Sequence, residues 1–332
     1  MDTILTLTVL IVIFALAFDF INGFHDTANA IATSVSTRAL TPRQAIILAA
    51  VMNFAGALTF TGVAKTITKD IVDPFALENG PVVILAALTA AIAWNLITWY
   101  YGIPSSSSHA LIGSIAGAAI SAAGFGILNY EGFLKILQSL IISPFLALAV
   151  GFIVMSLFRI LFKNANLTRT TRGFRMFQVV TAAMQAYTHG TNDAQKAMGI
   201  ITMALIAANY HSTTDIPEWV RISAALAMGI GTSIGGWKII KTVGGKIMKI
   251  RPVNGAAADL SSAMIIFAAT TFHLPVSTTH VISSAIMGVG AAQRVKGVKW
   301  GVARRIVLTW IITLPISALI AGFVYQVLKL FF

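Results

Sequence analysis

A chain of 332 residues with 57 % hydrophobic and only 10 % charged side chains, at a mean hydropathy of +0.84, is too apolar for a soluble domain, whose charged share is typically about 25 %; it reads as an integral membrane protein. Its formal charge of +12 does not point to nucleic acid, because the basic residues cluster in a few short loops between apolar runs. The absence of cysteine excludes disulfides and thiolate metal sites.

The first apolar run, from Ile4 to Phe18, continues to Val35. It has no basic leader before it and no small-residue cleavage site after it, so it reads as a span rather than a removed signal. At about 1.5 Å per residue a straight helix of that length overruns a hydrocarbon core of about 30 Å. Its polar centre, Asn22-Gly23-Phe24-His25-Asp26 with Asn29 beyond, is therefore expected to break the helix and to bring glycine, amide, carbonyl and carboxylate oxygens together. Such hard oxygens suit a small cation. An aspartate at the bilayer centre costs roughly 2.5 to 3.5 kcal/mol on insertion scales, so it needs a partner; read singly, Asp26 could also merely cap a short helix.

Arg38 and Arg43 follow, then the run Ala45 to Val63, then the acids Asp70, Asp73 and Glu78. The segment "GIPSSSSHALIGS" puts Pro104 and four serines at the start of another apolar run. Proline and serine suit a helix N-terminus, where free N–H groups and about half a positive charge form an anion site. Ser105, Ser106 and Ser107 are the expected ligands of an oxyanion; the plainer reading is that they only cap and solvate the loop.

Residues 161–175 carry Lys163, Arg169, Arg172 and Arg175 and read as a basic linker. Gln185 and Thr188 come next and could donate to an anion or tie helices together. "HGTNDAQKAMG" then repeats the first polar motif, with Gly190, Asn192 and Asp193 as cation ligands and Lys196 as a partner for Asp193. "PVSTTH" repeats the serine motif, with Ser277, Thr278 and Thr279 as anion ligands. His109 and His280 also match. Asp19 and Asp259 have no acidic counterpart, and their role stays open.

Two different motifs thus recur in one order, the aspartates 167 and the histidines 171 residues apart. The chain reads as a tandem duplication: a first membrane repeat over 1–160, the linker, and a second repeat over 176–332. No period-two alternation suggests a barrel, so the fold class expected is an all-α polytopic membrane protein. With five crossings per half the second repeat enters from the opposite side, giving an inverted-topology repeat with broken helices and helical hairpins at the midplane. Walking from an outer N-terminus, the loops that fall inside hold 17 of the 23 basic residues and no acid, the positive-inside pattern. This puts the linker in the cytoplasm, both termini outside and the chain in the cell (inner) membrane.

Two hydroxyl-lined helix tips offset roughly one unit of charge, less than phosphate carries, so cations beside the aspartates are expected to enter with the anion. Other classes remain at this stage: an ion channel, or an intramembrane hydrolase with Ser106 or Ser107 as nucleophile and His109 as base, which lacks a G-x-S-x-G elbow.

"NGFHDTANAIAT" and "HGTNDAQKAMGI", with the proline–serine/threonine–histidine repeats, resemble the inorganic phosphate transporter (PiT) family over essentially the whole chain. The resemblance implies a homodimeric, inverted-repeat, cation-coupled phosphate symporter with extracellular termini, no cofactor, and transported sodium and phosphate as its ligands. His25 resembles the bacterial branch, and the central cytoplasmic domain of animal members is absent. Bacterial members are associated with protons and metal–phosphate cargo, animal members with sodium; the oxygen-rich aspartate motifs favour sodium here, while His25, Asp26 and Asp193 are the residues a proton version would use. Sulfate-carrying relatives leave the anion to be decided by experiment.

Overall fold

The structure is a computed structural model that describes residues 3–72, 77 and 79–332, with Thr68 and Lys69 described by their backbone only. Asp73 and Glu78, and the first two residues, with the N-terminus expected outside, lie outside the described residues. The described chain is all-helical, without strands. The first seven helices are α1 (Thr3–His25), α2 (Thr27–Ser36), α3 (Pro42–Ala57), α4 (Gly62–Asp70), α5 (Gly80–Tyr101), α6 (Ser107–Ala123) and α7 (Tyr130–Leu161). The next seven are α8 (Leu167–Asp193), α9 (Gln195–Ala207), α10 (Glu218–Ile234), α11 (Trp237–Gly245), α12 (Pro252–Thr271), α13 (Thr278–Gln293) and α14 (Trp300–Leu328). A short 3-10 turn precedes α7 and another precedes α14, so the same series of elements occurs twice.

Packing repeats as well, with partners exchanged. α1 lies on α10 while its counterpart α8 lies on α3; α2 lies on α11 while α9 lies on α4; α6 lies on α14 while α13 lies on α7. Pairing of this kind is what a two-fold relation between the halves produces, and it buries each half's polar motif against the other half. Two internal prolines, Pro144 in α7 and Pro315 in α14, recur at the spacing of the histidines, a third repeated mark. Contacts between α6 and α14, and between α13 and α7, are made backbone to backbone: the hydrogen face of Gly117 meets Ala318, and that of Gly288 meets Leu148. Small residues let helices approach this closely where no hydrophobic effect drives them together.

α5 and α6 run as a packed hairpin joined by 102–106, and α12 and α13 as a second joined by 272–277. Each hairpin turns through one left-handed residue, Gly102 at φ 66° and His273 at φ 58°. Ser106 and Ser277 then cap the returning helices, accepting from the N–H of His109 at 3.1 Å and of His280 at 3.3 Å. At the base, Asn129 N–H donates to Ile71 O at 3.0 Å and Lys299 N–H to Ile247 O at 2.8 Å, closing each excursion on itself.

Five helical stretches among the described residues are long and apolar enough to cross a membrane: Thr3–Ser36, Gly80–Tyr101, Tyr130–Leu161, Pro252–Thr271 and Trp300–Leu328. The ten crossings expected from the sequence are thus not ten long apolar helices, since each half also contains shorter helices and a hairpin. Nor is the whole of 161–175 a linker. Asn166 accepts from Thr168 and Arg169 N–H groups, a side-chain cap that starts α8 at Leu167, so Arg169 to Arg175 ride on its first turns.

Burial is the inverse of a soluble domain. Phe145 and Leu319 are 71 % and 75 % exposed on the outside, whereas Asp19, Asp26, Asp193, Asp259 and Lys196 are buried inside. An apolar exterior around a polar interior marks a multi-pass membrane protein.

Candidate functional site

The site begins where α1 meets α2. Asp26 separates them with φ −89° and ψ −32°, and its N–H still reaches Asn22 O at 2.9 Å. The backbone at the interruption therefore keeps helical dihedrals and one helical hydrogen bond, and is not the unwound break expected from the sequence. Gly23 and Gly190 are not the break either: each sits inside a helix and faces neighbouring backbone, Gly23 against Met228 and Thr232 of α10 and Gly190 against Asn53 of α3. Glycine serves close approach here, and the interruption falls one turn later, at Asp26 and at Ala194.

Both aspartates reach one place. Ligand atoms of Asp26, His189 and Asp193 lie within 4.8 Å of one another, all buried. Both hairpin tips reach the same place from their own halves. Ser107 Oγ donates to Asp26 Oδ2 at 2.5 Å, and its repeat counterpart Thr278 Oγ1 donates to Asp193 Oδ2 at 3.2 Å. Thr279 crosses the divide, donating to Asp26 Oδ1 at 2.9 Å while accepting from Asn29 Nδ2 at 2.9 Å. The tips also touch directly, through Ser108 Oγ on Val276 O at 2.9 Å. Behind them the rings of His109 and His280 are 4.4 Å apart, and His280 stacks on Trp310 at 4.0 Å.

The remaining sequence-assigned residues divide between centre and periphery. Asn22 Nδ2 is 3.4 Å from Asp193 Oδ2, linking the halves. Ser105 Oγ donates to Thr98 at 2.8 Å and lies 3.4 Å from His25 Nε2, whose Nδ1 is 2.8 Å from Asp26 Oδ1. Gln185 accepts from Ser262 at 2.6 Å, and Thr188 Oγ1 bonds back to Gln185 O at 3.1 Å. Asn192 is turned away from Asp193: its amide donates to Thr270 Oγ1 at 3.0 Å and Leu274 O at 3.3 Å, and its Oδ1 accepts from Val276 N–H at 3.4 Å. It pins the second tip in place. Asp193 Oδ1 receives Lys196 Nζ at 2.8 Å, with both side chains fully buried.

Several acceptors are left without a protein partner although fully enclosed: Asn22 Oδ1, Asn29 Oδ1 and both oxygens of Asp19; the Nε2 donor of Gln185 is in the same position. Buried polar atoms are costly unless paired, and these sit on the residues that surround the carboxylates or on the helix that leads to them. Hydroxyls of Ser107, Thr278 and Thr279 can in turn offer lone pairs to a cation or protons to an anion. The arrangement therefore suits one anion and one or more small cations held together, out of water.

Some members of the site had no mark in the sequence. Asn53 donates through Nδ2 to Thr27 and Thr232 at 2.8 and 3.0 Å, and its Oδ1 accepts from His189 Nδ1 at 3.0 Å. Thr98 lies 3.0 Å from His25 Nε2. Neither belongs to a repeated polar motif, and only the fold reveals its partner. Asp259 lies in a separate hydroxyl cluster, accepting from Thr33 at 2.6 Å and Thr181 at 3.4 Å.

The model of the phosphate transporter family matches residues 22–321 of the chain. The chain is 73 % identical, over all of both chains, to a protein of Bacillus subtilis (strain 168) named "Probable low-affinity inorganic phosphate transporter". It is 44 % identical to a protein of the same name from Rhizobium meliloti (strain 1021), with 98 % of each chain covered. Among solved structures it is similar to a chain described as "The sodium-dependent phosphate transporter", with a TM-score of 0.88 and 28 % identity over 98 % of this chain and 100 % of that one.

Proposed function

Because the chain belongs to the phosphate transporter family, we propose that it imports inorganic phosphate across the cell membrane by symport with sodium, exposing one buried site to the two sides in turn. The observation that carries this reading is the convergence of both hydroxyl tips on both carboxylates. Two helix N-termini contribute roughly one positive charge, and Lys196 contributes another. Two aspartates and a phosphate together outweigh them, so the anion enters only with a cation. That mutual requirement is the physical content of symport.

Ser105 to Ser107 and Ser277 to Thr279 are the proposed phosphate contacts, with Gln185 offering its unpartnered Nε2. The sodium ligands narrow to Asp26, Asn29 and Asn22, since Asn192 is engaged elsewhere. Every one of these side chains is buried, so the form described is closed to both sides, and transport requires the hairpin tips to part from each other and from α1 and α8. Inverted orientation of the two halves, a homodimer in the inner membrane, outer termini and an inner 161–175 segment complete the proposal; the two-fold exchange of helix partners and the basic loops support it.

A second coupling ion is favoured by one contact. His25 Nδ1 and Asp26 Oδ1 are 2.8 Å apart and buried, a pair able to hold a proton in place of sodium. The chain is a transporter and not a hydrolase: Ser106 is a helix cap whose contact with His109 Nδ1 at 2.9 Å follows from that role.

Purified protein in liposomes should concentrate radiolabelled phosphate when an inward sodium gradient is imposed. Uptake that ignores sodium and follows a pH gradient would transfer the coupling to His25 and Asp26. Suppression by excess unlabelled sulfate would make the anion sulfate.

A further inference from the structure

The repeat places unlike residues at one pair of equivalent positions. Three residues after Asp26 stands Asn29; three residues after Asp193 stands Lys196. Both begin the helix beyond the interruption, α2 or α9, and both are 0 % exposed. Asn29 gives its amide to Thr279, which itself donates to Asp26, and keeps a buried oxygen with no protein partner. Lys196 instead lays its ammonium 2.8 Å from Asp193 Oδ1. Among the described residues it is the one buried lysine or arginine. The first half thus has a carboxylate and a free oxygen, as a cation site requires. In the second half a positive charge already occupies that place.

We propose that Lys196 is a tethered coupling cation: its ammonium fills the cation position of the second repeat, so that the chain moves one fewer cation per phosphate than it would with an oxygen ligand at residue 196. This deepens the reading of a cation-coupled phosphate symporter and rests on it. The chemistry is direct. An ammonium and a sodium ion both neutralise a carboxylate, but the ammonium is covalently held and returns with the protein instead of being released. Asp193 is then neutralised at every stage of the cycle, and the gradient acts only through the Asp26 side. Coupling by fewer ions gives less concentrating power, since each charge moved across the membrane adds its own share of the gradient.

Two charge-changing variants test this in liposomes, where the reversal potential of phosphate flux gives the charge carried per phosphate. Lys196→Asn should raise that ratio by one positive charge and bring an added or steeper dependence on sodium, whereas Lys196→Arg should keep the wild-type ratio. Lys196→Asn with the wild-type ratio and the wild-type sodium dependence would overturn the proposal. If the Asn variant binds but does not transport, equilibrium binding of radiolabelled sodium in detergent decides: one more sodium per chain than wild type supports the tethered cation, and an equal number refutes it. If it cannot be purified, Lys196→Gln is measured by the same two assays. Failure of the underlying reading looks different, because wild-type flux would then show no coupling ion at all. Proton coupling in the wild type leaves the test intact, since the extra charge in Lys196→Asn would appear as a new requirement for sodium.

Discussion

Asp26→Asn should abolish concentrative phosphate uptake while leaving the fold intact, and Asp193→Asn should abolish it while also weakening the fold. The two carboxylates lie in one cluster, but their partners differ. Asp26 accepts from Ser107 at Oδ2 and from Thr279 at Oδ1 and faces His25 Nδ1; an asparagine keeps one acceptor oxygen, turns its amide to the other partner, and leaves no buried lysine without a counterion. What is lost is the negative charge. A hydrogen bond or ligand contact to a charged group is worth about 1.5–3 kcal/mol, which is about ten- to a hundredfold in cation affinity. Asp193 also neutralises Lys196, fully buried at 2.8 Å. Removing one member of a buried ion pair costs about 3–5 kcal/mol, because the other charge stays without a counterion. Asp193→Asn is therefore expected to lower the unfolding temperature in detergent clearly below that of Asp26→Asn. Adding Lys196→Met to Asp193→Asn should recover part of that loss, since no buried charge is then left without a counterion. Full gradient-driven transport by Asp26→Asn would remove Asp26 from the coupling site, and equal thermal stability of the two single variants would contradict the charge pairing.

Locking the hairpins together should stop transport reversibly. Ser108 Oγ reaches Val276 O across the junction of the two tips, and the chain has no cysteine of its own, so Ser108→Cys with Val276→Cys places the only thiols in the protein at the contact. Bridging needs Cα atoms about 4.4–6.8 Å apart, a range that a direct side-chain-to-backbone contact makes accessible. Phosphate uptake should fall to the background of empty liposomes on oxidation and return on reduction, while each single cysteine variant stays insensitive to oxidant. Full uptake by the oxidised double variant, with the bridge verified by mass spectrometry, would mean that the tips do not part during the cycle.

The duplicated plan was legible because its two marks are chemically unusual in lipid: an acidic motif and a run of hydroxyls after proline, each present twice. The long apolar runs pointed to the all-helical fold, and these marks to the hairpins and to the meeting of Asp26 and Asp193 with Ser107, Thr278 and Thr279. Less visible was anything that depends on which side of a helix a residue faces. Gly23 and Gly190 read equally well as helix breakers or as places of close approach, and the packing of α1 on α10 and α8 on α3 selects the second. Asn192 shares its motif with Asp193 but points to Thr270 and Leu274, since successive residues on a helix project in different directions. Asn53, Thr98 and Ser262 gave no signal, since none belongs to a repeated polar motif and each finds its partner on another helix. The start of α8 was misplaced because arginines every third residue suggest a loop in a membrane chain, although they are good helix formers once Asn166 supplies the cap.

Phosphate binding to the purified protein, titrated at several sodium concentrations and at several pH values, tests the shared site most directly. Linkage requires that a cation which tightens phosphate binding be tightened by phosphate to the same degree. Sodium should therefore raise phosphate affinity by at least about tenfold, with phosphate raising sodium affinity by the same factor, and Asp26→Asn should erase both effects. A phosphate affinity that changes with neither sodium nor pH would mean that the carboxylates and the hydroxyl tips do not hold a common cargo.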